Sequence, residues 1–519
     1  MIGRGRHSAR AWWPWLGLWT AVGLGIRLTS LFGPGRSSRK PGGDSYYFHN
    51  AANLLVAGKG FVNPFVYYSG PAHHQVQTAA WPPLFVLVLA IPSLIGLKTF
   101  FAARVWCCVI GAAGVVLCGY AGREMAGRRV GLVAACLVAV YPNLWMSDEL
   151  GLSEALSPVL VALVLWMAYR FWRRPTTWAV VALSASVGVA ALARDELALL
   201  TVFLVAPMVL MASALRWRRR LGLLAVGALT VVLVVGPWVG YNMSRFDDPV
   251  FISSGFGVTL ASANCPELYR GPSEGYWSLE CAVLAKDKAF TPGADESVQS
   301  AEAQAYALQI IRSHRSRILP VEMARLGRAF AFFHPMEQVR FDSTVETRPY
   351  HWALVGLGMY YALLALSVGG VVILVRRRIP VLPLVAIGLD VVVSVALTFG
   401  QTRYRSTFEM ALVLAAAVQL EWLWGRLVHR RAPRGSRIRA LRPHHPRPDR
   451  MTGGADPGFD GRGEPTANLR GCAWPGGPCT AMTAPPPHHR VIPLRMDVDG
   501  RSRSIAIGTT GPSDRTAPR

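Results

Sequence analysis

The stretch FFAARVWCCVIGAAGVVLCGYAGREMAGRRVGLVAACLVAVYPNLWMS, residues 100–147, decides the fold. Two apolar runs, 100–121 and 130–147, are parted by the Arg-rich link GREMAGRRV. A helix needs an apolar run of about 20 residues to cross the hydrocarbon core of a bilayer. Arginine between two such runs marks the side that stays in the cytoplasm. Outward from this pair, similar runs recur at 11–32, 150–171, 177–193, 197–215, 221–240, 351–375, 380–399 and 406–428. The links FWRRPTT, RWRRR and RRRIP and the segment HRRAPRGSR are Arg-rich as well. Keeping all of these on one side requires a single crossing between 81 and 122, so the shorter run WPPLFVLVLAIPSLIGL (81–97) is expected to be juxtamembrane or re-entrant.

The prediction is an all-α polytopic membrane protein with about ten transmembrane helices, ten to thirteen being compatible with the apolar runs. Residues 1–428 form the membrane domain, with outer loops at 33–99 and 241–350 and both termini cytoplasmic. The first outer loop should carry juxtamembrane helices, and the second should form short helices over the bundle, a lid candidate. Residues 429–519 combine Arg, Pro, Gly and Ser without periodic hydrophobicity, which predicts a disordered basic tail. The N-terminal run follows a basic start with no small-residue cleavage site after it, and reads as a retained first span.

Composition excludes other classes. Of 519 residues, 52% are hydrophobic and 16% charged, too apolar for an ordinary soluble enzyme of this length. Lys and Arg outnumber Asp and Glu 54 to 30, but they sit in short clusters between apolar runs and in the tail. That distribution reports membrane orientation and gives no nucleic-acid-binding stripe. Cys107, Cys108, Cys118 and Cys136 lie inside apolar runs as small hydrophobes, whereas Cys265 and Cys281 share one polar outer loop in which a disulfide can form.

The candidate chemistry starts immediately after the first span, in PGGDSYYFHNAANLLVAGKGFVNP (41–64). Asp44 or Ser45 can cap a helix whose apolar face is Tyr47, Ala51, Leu54 and Leu55, ending at Gly58. An N-cap is the plain reading of Asp44, and a catalytic carboxylate the sharper one. Acidic residues recur at span edges in SDELGLSEAL (147–156), which supplies Asp148, Glu149 and Glu154. Carboxylates at such edges are costly without a purpose. Basic groups stand at the same outer side, as Arg194 in ARDE and as Arg403 and Arg405 around Tyr404 in GQTRYRST. Pairing with nearby acids or reaching for interfacial water is the plain reading of these arginines. His49, His73 and His74 read as surface histidines.

The GGDS segment after the first span, the AxxLxxGxGF continuation and the PPL segment, in this order and sidedness, resemble the polyprenol-dependent membrane glycosyltransferases of the glycosyltransferase-C superfamily. The protein O-mannosyltransferase and aminoarabinose-transferase branch is the nearest in pattern, over about residues 10–425. The resemblance implies an essential acid at Asp44 and a second one in the next outer turn, with Asp148 and Glu149 favoured over Glu154. It also implies a basic and aromatic pair near the carrier phosphate, matched by Arg403 and Tyr404.

The chemistry of such a reaction asks for a base for the acceptor proton and for cations at the leaving phosphate, here Arg194, Arg403 and Arg405. The expected partners are a polyprenyl-phosphate sugar donor, membrane lipids and an acceptor the sequence does not name. No cofactor is demanded, although Asp44, Asp148 and Glu149 would suit a hard divalent ion such as Mg or Mn. The loop ASANCPELYRGPSEGYWSLEC (261–281) carries Asn, Tyr and Trp suited to sugar hydroxyls and ring faces, or to seating the loop at the interface. The competing class is a multi-span transporter or flippase, whose deep charge would be Asp390, and no internal repeat supports it. A catalytically silent scaffold is the third class.

Overall fold

The computed structural model describes residues 4–33, 42–70, 74–213 and 215–431, with side chains from Trp12 to Val428. The expected tail from 432 on lies outside the described residues. Those described are helical throughout, apart from connecting turns and one isolated bridge between Val62 and Gln77. The first span is α1 (Arg4–Phe32). The first loop then forms α2 (Gly43–Val56), α3 (Pro64–Ser69) and α4 (Leu84–Leu94). A bundle follows of α5 (Phe100–Ala126), α6 (Arg128–Val140), α7 (Pro142–Asp148), α8 (Ser157–Arg173) and α9 (Thr177–Ala191).

Among the described residues, by length and composition six helices can each cross a bilayer, at 12–32, 100–126, 153–173, 217–243, 350–376 and 402–428. A seventh span counts if α6 and α7, bent by 57°, are taken together. The break falls at Pro142, which has no N–H to continue the α6 ladder. Against the expected ten, α9 at 15 residues is too short to span alone, at about 1.5 Å of rise per residue. The predicted span 197–215 is also not a regular helix. It runs as a 3₁₀ turn (Asp195–Leu199), a π turn (Thr201–Val205) and the short α10 (Ala206–Leu210).

Next comes α11 (Trp217–Met243), and then the second long loop. As expected, that loop folds into short helices: α12 (Phe256–Ser262), α13 (Leu279–Ala289), α14 (Glu296–Ser313), α15 (Ile318–Ala329) and α16 (Pro335–Thr344). Cys265 and Cys281 are disulfide-bonded across it. The chain closes with α17 (Tyr350–Arg376), α18 (Leu382–Leu397, 16 residues) and α19 (Ser406–Arg431).

Small residues let the central helices approach. A Cβ on Gly131 of α6 would stand 2.4 Å from the Gly119 carbonyl oxygen of α5, so only glycine permits this crossing. Contacts sort the helix ends into two groups. At one end Trp12 Nε1 donates to Arg128 O (3.3 Å), Arg173 pairs with Glu124 (3.5 Å) and the Tyr169 hydroxyl donates to Pro380 O (3.2 Å), which gathers three of the Arg-rich links. At the other end Glu296 accepts from Thr78 Oγ1 (2.7 Å), Ala79 N (2.8 Å) and the Ser254 hydroxyl, clamping the first loop to the second.

Candidate active site

The helix α2 forms where the sequence places it, and its buried Tyr47, Ala51 and Leu54 confirm three of the four expected face residues. Phe48 and Ala52 join them, and Trp81 lies 4.1 Å from the Tyr47 ring. The N-cap is neither Asp44 nor a side chain of the cap position. Gly42 N donates to Ser45 Oγ (3.1 Å), and that hydroxyl donates back to Gly42 O (2.9 Å). Asp44 is therefore released from capping, and its carboxylate points to the mouth of the last span. There Arg403 Nη2 donates to Asp44 Oδ2 at 2.8 Å across 359 residues of sequence.

From this contact a line of alternating charge continues inward. Arg403 Nε is 3.4 Å from Glu154 Oε1, which also accepts from Arg194 Nη1 at 2.8 Å. Arg194 Nε reaches Glu196 Oε1 at 2.5 Å, and the Arg194 guanidinium lies 5.0 Å from the centre of the Tyr404 ring. Four of the predicted residues, Asp44, Arg194, Arg403 and Tyr404, thus share one constellation. The carboxylate at its centre is Glu154, which sequence reasoning ranked below Asp148 and Glu149.

Three consecutive residues before α19 each hold a different acid. Gln401 donates to Glu346, Thr402 Oγ1 donates to Asp342 Oδ2 (2.5 Å) and Arg403 donates to Asp44. Arg348 pairs with Glu346 at 2.7 Å. Burial pushes the Glu346 carboxyl up to about 7, with Arg348 opposing the shift and Asp342 adding to it. Asp342, Glu346 and Arg348 were not singled out from the sequence. The available signal was the run VETRPY, an acid and an arginine immediately before an apolar span.

Asp148 is not in this line. Its Oδ2 accepts from Arg27 Nε at 2.6 Å, and both side chains are buried between α1 and α5. Gly111 makes the room, since a Cβ there would meet Asp148 Oδ2 at 2.0 Å. Glu149 is buried beside it, and its backbone carbonyl accepts from Arg104 Nε at 2.5 Å. Arg405 is engaged too: it donates to Glu409 Oε1 (2.9 Å) and Ala329 O (3.0 Å) and stacks 3.7 Å from the Tyr360 ring centre. It still lines one small cavity together with Arg348, Arg403, Asp342, Glu409 and Asn143.

The proposed ion-binding set of Asp44, Asp148 and Glu149 does not assemble. Asp44 is held by Arg403 and Asp148 by Arg27, so each guanidinium stands where a cation would. Among the described residues, the only close trio of potential ligands is Cys265, Glu267 and Cys281, two of which are spent on the disulfide.

Residues 80–241 match the family described as dolichyl-phosphate-mannose-protein mannosyltransferase. Over this stretch the chain is similar to that family. The matched segment runs from the end of the first loop through most of α11, and contains Asp148, Glu149, Glu154 and Arg194, while Asp44 and Arg403 lie outside it. No curated protein sequence matches the chain. Solved structures similar to it include an Archaeoglobus fulgidus oligosaccharyltransferase in complex with Zn and sulfate, at 13% identity and a TM-score of 0.48, over 82% of this chain and 51% of that one. The oligosaccharyltransferase AglB from the same organism, with an inhibitory peptide and a dolichol-phosphate, gives 15%, 0.48, 82% and 52%. ArnT from Cupriavidus metallidurans bound to undecaprenyl phosphate gives 16% identity and a TM-score of 0.38, over 83% and 82% of the two chains. This chain spans about half the length of the Archaeoglobus structures.

Proposed function

We propose that this chain is an integral-membrane glycosyltransferase that moves a sugar from a polyprenyl-phosphate donor to an acceptor on the outer face of the plasma membrane, with inversion. The observation that carries the reading is the Asp44–Arg403 pair at 2.8 Å, a base and a phosphate-binding cation in one contact. An arriving donor phosphate competes for the Arg403 guanidinium, which presents N–H groups in a fork suited to phosphate oxygens. Arg403 turning to the phosphate frees Asp44. Asp44 then takes the acceptor proton as the acceptor oxygen attacks the anomeric carbon. The bond from that carbon to the phosphate oxygen breaks, and the electron pair leaves on the phosphate, next to Arg403 and Arg194. Attack opposite the leaving group inverts the anomeric centre.

Glu154 holds the two arginines at a fixed separation, and Asp148 and Glu149 support the turn that carries it. No step is routed through a metal ion. The direct test is incubation of purified protein in lipid with radiolabelled polyprenyl-phosphate mannose, glucose and arabinose and a cell-envelope extract as acceptor. Label should move from the lipid phase to an acceptor with release of polyprenyl phosphate, and a protein that consumes none of the three donors refutes the reading.

The outer-face placement is supported by the two groups of helix ends, because an end rich in arginine favours the cytoplasm. A Lys286→Cys protein in intact cells should react with a membrane-impermeant maleimide, and Arg218→Cys should react only after permeabilisation. The reverse pattern would invert the map.

A further inference from the structure

The second loop contributes a turn to the site that the charge line does not use. Gly275, at φ +75°, accepts through its carbonyl from Gly400 N at 2.9 Å. A Cβ on Gly275 would stand 2.8 Å from Arg325 N, and one on Gly400 would stand 2.3 Å from Arg325 O, so both positions need glycine for this approach. The contact pins the following pair, Tyr276 and Trp277, beside the Gln401–Thr402–Arg403 run that holds three acids.

The two rings are fixed by aromatic neighbours. Tyr276 stacks on Phe341 with centroids 4.7 Å apart and planes at 24°. Trp277 lies 6.0 Å from Phe399, which is 5.2 Å from Tyr404, the aromatic partner of Arg194. Their polar tips are the unusual feature: the Tyr276 hydroxyl and Trp277 Nε1 are both buried, the indole N–H lies towards the Tyr276 oxygen, and among the described residues the Tyr276 O–H has no acceptor. A buried donor left without an acceptor is destabilising, and a ligand that supplies the acceptor recovers that cost. Burial, then Glu346 and Asp342, push the Tyr276 hydroxyl pKa up, which keeps its proton in place as a donor.

We propose that Tyr276 and Trp277 are the sugar-recognising wall of this site, with the donor's ring against Trp277 and one of its hydroxyls accepting from the Tyr276 O–H. This rests on the glycosyl-transfer reading above. The geometry suits it: Arg403 takes the phosphate, and the sugar one bond away falls towards the turn pinned at Gly400. Apolar ring faces pack on an indole while hydroxyls meet directed polar groups. Glu346 and Asp342 stand near the Tyr276 hydroxyl as acceptors for neighbouring sugar hydroxyls.

Tyr276→Phe keeps the ring and its stacking and removes only the hydroxyl. With whichever of the polyprenyl-phosphate mannose, glucose and arabinose donors is bound best, it should lower kcat/KM about tenfold, the loss of one directed hydrogen bond. For the monodeoxy analogue of that donor lacking the partner hydroxyl, the substitution should make no further difference. Equal losses across all analogues, or none, would overturn the proposal. Binding of the same donors to Asp44→Asn protein, with and without Tyr276→Phe, separates the two readings. Analogue-selective weakening of binding by Tyr276→Phe, combined with a wild type that never transfers sugar, would sink the transferase reading and keep the wall. Transfer by the wild type without that selectivity would do the opposite, and no binding of any donor rejects both.

Discussion

Asp44→Asn should reduce sugar transfer by about 10²–10⁴-fold, the usual contribution of a positioned general base, and leave the protein folded and inserted. The amide matches the carboxylate in size and cannot accept the acceptor's proton. Structural side effects are small for a stated reason. The α2 N-terminus is held by Gly42 and Ser45, so no cap is lost with the charge. The Asp44–Arg403 pair keeps 27% and 20% of its side chains exposed, so the ion pair itself is worth about 0–1 kcal/mol. Arg403 also retains Glu154 at 3.4 Å. The measurement is turnover of a radiolabelled polyprenyl-phosphate sugar by purified variant and parent, with thermal unfolding of both in detergent. A variant that transfers at near the parent rate would show that Asp44 only binds Arg403, and would remove the base from the proposed mechanism.

Much of this architecture was legible because the bilayer imposes a length. The run 100–121 and its Arg-rich link to 130 read as a pair of crossing helices; α5 is the first, and the second is the bent pair of α6 and α7, since α6 alone has 13 residues. The span expected at 197–215 is apolar enough, yet tertiary contacts decide its backbone. Arg194 is drawn to Glu154, and Asp195 Oδ2 accepts from Ser253 Oγ at 2.5 Å, so the chain enters the bundle through a 3₁₀ and a π turn. Neither partner is local, and no periodicity announces them.

The site divides in the same way. Asp44, Arg194 and Arg403 could be found because charge at the edge of an apolar run is conspicuous. Their pairing could not, since it depends on how helices far apart in sequence turn towards one another. Choosing among Asp148, Glu149 and Glu154 needed the rotational setting of α7 against α1, which turns Asp148 to Arg27 and leaves Glu154 to the arginines of the site. Asp342 was hidden inside the second loop, where an acidic residue has no reason to stand out, and Glu346 was marked only by its place beside Arg348 just before an apolar span.

That division has a consequence for Asp148. In the structure it is half of a buried ion pair, its side chain 4% exposed and that of Arg27 1%, inside a helix bundle where an unpaired charge is expensive. Removing one member of such a pair typically costs about 3–5 kcal/mol, because the other charge stays buried without its partner. Asp148→Asn should therefore lower the midpoint of thermal unfolding in detergent by many degrees and reduce the yield of inserted protein, with transfer falling in step with folded protein. Arg27→Met should do the same. The double variant Arg27→Met with Asp148→Leu should recover most of the loss, since two apolar side chains in that space leave no charge to desolvate. A reacting carboxylate would behave differently: Asp148→Asn would keep its unfolding midpoint and lose turnover, and the double variant would be as stable as the parent and inactive. That second pattern would return Asp148 to the catalytic set and dismiss its role as a partner for Arg27.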